Sequence, residues 1–162
     1  MITAIVIPAD SDKPLRREEV NSTDARAYRS LVGGSLQVVH LEEPAASLYV
    51  NEEGKQLDLP LNARATVLLW AHNAAFVGQD WIVGDALLVG PVGRDGADMT
   101  VPRAYESMLL DGRFFRLEVK TAEKEEWRDL NMVFDDVFNT YPLLITLMRH
   151  KRVTGIRVVV VS

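Results

Sequence analysis

The chain has 162 residues, close to the usual size of one domain. At that length roughly 70% of the unfolded surface can be buried, enough for a core without disulfides or metal. Hydrophobic residues make up 48% and charged residues 25%, which excludes a disordered chain. Cysteine is absent, which removes disulfides, thiolate nucleophiles, iron–sulfur clusters and sulfur-bound zinc. A net charge of −5 argues against general phosphate-backbone binding, so nucleic acid is not an expected partner.

No segment approaches the ~18 apolar residues of a membrane helix. The opening MITAIVIPAD has no basic region before its apolar run and is cut by Pro8 and Asp10, so it reads as a first strand, Ile2 to Ile7, and not as a signal segment. A cytoplasmic protein is the expectation. Residues 10–24 are polar and hold Pro14, which predicts a surface loop. Ser22, Thr23 and Asp24 are candidate caps for a helix carrying Ala25, Tyr28, Leu31 and Val32, closed at Gly33-Gly34 by a residue at positive φ. From Ser35 the period becomes two, with Leu36, Val38 and His40 on one strand face and Gln37, Val39 and Leu41 on the other.

A second strand, Ser47 to Val50, runs into NEEGK, where Gly54 suits the left-handed position of a tight turn. Asn62 can cap a helix over 63–76, Asp85 to Gly90 reads as a strand, and Gly93 to Gly96 as a turn. Thr100 can cap a short helix ending near Asp111-Gly112. Phe115, Leu117 and Val119 alternate with polar neighbours as a half-buried strand should. After Thr121, the spacing of Trp127, Leu130, Phe134, Val137, Phe138 and Tyr141 predicts a helix, with three glutamates in its first turn. Pro142 must kink that helix or open a new one. The valine run predicts a last strand, Ile156 to Val161, buried on both faces, so that a charge at Val159 would find no partner. Strand, helix, strand predicts a right-handed crossover between parallel strands. The expected fold is α+β: one compact domain over 1–162, a mixed sheet with helices packed on it, and a β-α-β-like unit at 111–162 sharing the core.

His40, His72 and His150 lie in different elements without metal-ligand spacing, and the carboxylate pairs Glu42-Glu43, Glu52-Glu53, Glu125-Glu126 and Asp135-Asp136 read as solvated. No metal or cofactor is expected. The glycines match neither the phosphate-loop nor the dinucleotide fingerprint, and no G-x-S-x-G elbow is present. The basic run Arg149 to Arg152 falls where a helix should end and complements its dipole. Of the tryptophans, Trp70 sits in an apolar run and reads as core; Trp81, if exposed, would offer a stacking surface.

The segments LVGGSLQVVHL, LYVNEEGKQLDLPLNARA and IVGDALLVGP, in this order, resemble the domain-of-unknown-function family numbered 3846, found in phages, plasmids and genomes rich in mobile elements. The pattern is V-G-G before a strand, an N-E-E-G-K turn, L-P-x-N, a strand introduced by glycine, and a Ser/Thr-capped segment matched by Met99 to Glu106. It covers about residues 1–110. The family commonly has Asn-Arg adjacent, whereas Ala63 separates Asn62 from Arg64. The resemblance implies a genomic setting, not a mechanism.

Two classes of function follow from these readings. The first is a non-enzymatic accessory protein that binds a host protein or small molecule, with Asn51, Asn62, Arg64 and Asp85 as candidate ligand contacts. The plainer reading of all four is as turn and cap residues without a ligand. The second is an enzyme whose carboxylates and histidines converge only in the fold. A self-associating subunit, a homo-oligomer built through a sheet edge, is a third.

Overall fold

A computed structural model describes residues 1–161. The chain forms two compact units, Met1–Glu106 and the segment from Ser107 onward.

Unit 1 is a five-stranded antiparallel sheet in the order β2-β1-β5-β4-β3, built from β1 (Ile2–Ile7), β2 (Arg16–Val20), β3 (Leu36–Leu41), β4 (Ala46–Asn51) and β5 (Ala86–Val89). Helix α1 (Ala25–Val32) follows β2, and α2 (Ala63–His72) with a 3-10 turn at Ala74–Phe76 lies between β4 and β5. Ala4 and Val6 of β1 share a sheet face with Leu87 and Val89 of β5, and α1 lays Tyr28 and Val32 on that face. On the other side of the pleat, Ile5, Ile7, Leu48 and Leu88 are fully buried, as are Ala65, Leu68 and Leu69 of α2. Each buried leucine or isoleucine contributes roughly 1.5–3 kcal/mol over an exposed one.

Asp24, one of the three candidate caps, closes the start of α1 by accepting from the Arg26 and Ala27 amides, and Gly33 (φ +80°) ends the helix in the left-handed conformation. The segment read as a loop over 10–24 contains β2. Its sequence, RREEV, hides a strand because pairing with β1 supplies the backbone bonds while only Val20 enters the core. As an edge strand it presents charges outward. The other edge, β3, is engaged at its C-terminal end: Asn73 Nδ2 donates to the His40 carbonyl (2.9 Å), and the Glu42 amide donates to the His72 carbonyl (2.7 Å). Gly54 is not at positive φ. A Cβ there would lie 2.8 Å from Val83 Cγ2, so close approach, not handedness, is what requires glycine. Thr100 does not cap the helix that follows it. Its Oγ1 accepts from the Thr3 amide, and α3 (Arg103–Glu106) starts after Pro102.

Unit 2 opens with a π-helical turn at Ser107–Asp111. A three-stranded antiparallel sheet follows, order β7-β6-β8, formed by β6 (Phe114–Thr121), β7 (Arg128–Phe134) and β8 (Val153–Val161). Between β7 and β8 lie a 3-10 turn (Val137–Asn139) and α4 (Tyr141–Met148), which packs on β8. The helix expected over 121–141 is therefore a strand and a separate helix. Leu130 and Phe134 are four apart, a spacing that shares one face in a strand as well as in a helix, and a bulge with Asn131 at φ +58° completes the departure from simple alternation. Pro142 sits in the first turn of α4, where its missing N–H has no helical partner to lose. No parallel crossover forms, since β6 and β8 pair directly and antiparallel. Nor is β8 buried on both faces: Val159 is half-buried and faces Arg116 across the ladder.

Candidate functional site

Three of the four candidate residues gather at the end of β1. Asn62 is fully buried; its Nδ2 donates to the carbonyls of Ile7 and Gly84 (both 2.9 Å), and its Oδ1 accepts from the Ala65 amide (3.0 Å), capping α2. One Arg64 nitrogen donates to the carbonyls of Pro8 (2.8 Å), Asp10 (3.0 Å) and Lys13 (2.8 Å). Asp85 accepts from the Ala9 amide (2.9 Å). Together they fasten the end of β1 and residues 8–13, a stretch with no regular ladder of its own, to α2 and the start of β5. Asn62 is the last residue of the L-P-x-N pattern, so that pattern has a mechanical basis.

Asn51 stands elsewhere, at the end of β4. Its Nδ2 donates to the Gly33 carbonyl (3.2 Å), and its Oδ1 accepts from the Glu53 amide (2.9 Å). The amide lies so close to Gly34 that a Cβ there would sit 2.7 Å from Nδ2. Thus V-G-G and N-E-E-G-K are two halves of one contact, joined through Asn51.

Asn51 also lines a recess of about 70 Å³ on unit 1, the volume of roughly two waters. Its walls are Gln37, Asn51, Glu52, Lys55, Asp80 and Trp81, over an apolar lining of Val39, Val50, Ile82 and Val83. Trp81 is 50% exposed. The Lys55 ammonium lies over its ring, 4.4 Å from the centroid, and forms an ion pair with Asp80. Asp80 is itself held: its Oδ1 accepts from the Trp81 amide (2.8 Å) and its backbone carbonyl from Trp70 Nε1 (2.7 Å). The next amide, Ile82, donates to Thr66 Oγ1 of α2 (2.9 Å). A half-exposed indole beside a carboxylate, on backbone tied to a helix, can bind an aromatic or cationic group. Sequence reasoning reached Asn51 and noticed Trp81, but Lys55 and Asp80 carry no local signal; only the fold joins them.

Two further polar clusters were not legible. Asp98 is 8% exposed, and its Oδ2 accepts from the hydroxyls of Tyr28 (3.0 Å) and Tyr49 (2.8 Å), whose rings meet edge to face at 4.9 Å. Burial, reinforced by the carboxylate, raises both phenols above their ordinary range. His72, at the end of α2, lies edge-on against Tyr105 (5.0 Å between centroids), whose hydroxyl donates to the Pro44 carbonyl (2.7 Å). Burial pushes the imidazole down to about 4, against the backbone of Glu43 and Glu42, which favours the charged form. His40 is exposed on β3, and His150, after α4, accepts from the Arg152 amide at Nδ1 (3.2 Å). Among the described residues, no group of three or more His, Asp or Glu side chains is placed to hold a metal ion.

No helix among the described residues is long and apolar enough to cross a membrane. Neither curated proteins nor solved structures yield a match to this chain. A family model, described as a domain of unknown function (DUF3846), matches residues 2–110, taking in nearly all of unit 1 with the Asn51 contact, the Asn62 cap and the Trp81 recess. On that match the chain belongs to the DUF3846 family.

Proposed function

We propose that this protein acts by binding a partner, not by turnover, and that it does so through the recess beside Trp81. The observation that carries the reading is the half-exposed indole, fixed on backbone tied to α2 and bordered by the Lys55–Asp80 ion pair. A large exposed aromatic is a common anchor in binding surfaces. The recess holds about 70 Å³, which suits the seating of one group of a larger partner. In the setting that the family resemblance suggests, a phage or plasmid passenger, the partner is a host protein or small molecule of the cytoplasm.

Native mass spectrometry of protein purified from cells tests this. The wild type should retain a partner or ligand that the Trp81→Ala variant loses while still folded, its melting temperature lowered only by the loss of the buried half of the ring. Turnover in a broad substrate screen that disappears in Asp80→Asn would overturn the reading in favour of an enzyme.

A further inference from the structure

We infer that the Trp81 recess is a subsite for a guanidinium group, closed in the free protein by the chain's own Lys55. This rests on the binding reading above and names the chemistry of what is bound.

Lys55 shows what the site takes. Its ammonium sits over the indole face at 4.4 Å and on the Asp80 carboxylate, the two contacts a cation seeks from an aromatic–acid pair. The receiving groups are fixed while the occupant is not. Asp80 is aligned by the Trp81 amide and anchored through its carbonyl to Trp70, and Ile82 beside them is 3% exposed. Lys55, by contrast, rises from an exposed turn with 49% of its side chain in solvent. An exposed ion pair of this kind is readily exchanged for another cation.

The shape of the recess favours guanidinium over a second ammonium. Gln37 and Glu52 line it together with Asp80, so acceptors are spread around the cavity and not gathered at one point. A guanidinium has five donors in a plane and stacks flat on an indole, whereas an ammonium is a compact point charge that Lys55 already supplies. The charge balance agrees. Among the lining residues Glu52 and Asp80 face the single cation of Lys55, so a second cation is favoured and more so once Lys55 swings away. The guanidinium can belong to a free small molecule or to an arginine side chain on a protein.

The test uses the full chain and follows the indole N–H resonance of Trp81, assigned through Trp81→Phe. The probes, all with the α-amine acetylated, are argininamide, its neutral isostere citrullinamide, and a blocked Gly-Arg-Gly peptide. Argininamide should shift the resonance in Lys55→Ala with an affinity about tenfold above wild type, the order expected when one exposed ion pair and one cation–π contact compete. Citrullinamide should leave it unmoved, and Asp80→Asn placed on Lys55→Ala should remove the response at unchanged melting temperature. Tighter binding of the peptide than of argininamide would identify a protein-borne arginine; equal binding would identify a free ligand. No shift in Lys55→Ala, an equal shift with citrullinamide, or identical titrations of wild type and Lys55→Ala would overturn the inference. The outcomes separate from those above: a partner lost in Trp81→Ala without any argininamide binding sinks the guanidinium and leaves the binding reading standing.

Discussion

Asn62 does three things with one amide: it caps α2, holds the end of β1 and holds Gly84 before β5. Asn62→Ala removes all three bonds inside the core and should cost about 2–4 kcal/mol, measured by urea denaturation. Asn62→Asp keeps the cap acceptor but turns a carboxylate toward two carbonyls, so it should be at least as damaging as alanine. If aspartate instead restores stability, the cap alone is what matters. His72 gives a second prediction. Its folded value of about 4 lies below the ordinary 6.5, so between these limits the unfolded chain binds a proton that the folded one resists. The contribution of His72 is therefore complete above about pH 7, falls as pH drops from 6.5 to 4, and changes no further below that. It amounts to about 3 kcal/mol at most. His72→Phe, which keeps a ring against Tyr105, should show a shallower loss of stability than wild type across this window; parallel curves would refute the assignment.

At the scale of elements, Leu117 is the fully buried centre of β6, the strand that both β7 and β8 pair with. Leu117→Ala should cost about 2–5 kcal/mol. Val159→Asp, the test that sequence alone would recommend, is a poor one, because the carboxylate would face Arg116. The contrast shows where legibility ended. β1, α1, β3, β4, α2 and β5 were readable because each carries its own period, cap or glycine stop, and Asp24, Gly33 and Asn62 do what their types predict. β2 was not, because a charged edge strand is defined by its neighbour β1 and not by its own pattern. β7 departs from the helix its spacing predicts because a spacing of four satisfies both periods, and because Trp127 stands outside any helical stripe and receives Lys120 and Arg157 over its ring. The recess failed for a third reason: Lys55 and Asp80 are 25 positions apart, and neither residue type is unusual in a turn.

For the whole molecule, the size of its parts bears on how many times it unfolds. A unit the length of the segment from Ser107 onward is marginal by size, since domains of roughly 60 residues bury only about 60% of their unfolded surface. Leu117→Ala should accordingly lower a single calorimetric transition that includes β1 to β5. A separate low-temperature transition confined to the C-terminal segment, with the rest unchanged, would show two independently folding units. The boundary near Glu106 also lies close to where the family match ends at residue 110, so removal of 111–162 asks the same question from the other side.

The two edges of the unit 1 sheet bear on how the protein behaves when concentrated. A strand arriving beside β2 meets two arginines followed by two glutamates, and one arriving beside β3 meets a carbonyl already taken by Asn73. Fibril growth needs a long, vacant template on which each incoming chain copies the last. Here the β3 template is cut short at His40, so templated polymerisation has only Leu36 to Val39 on which to begin.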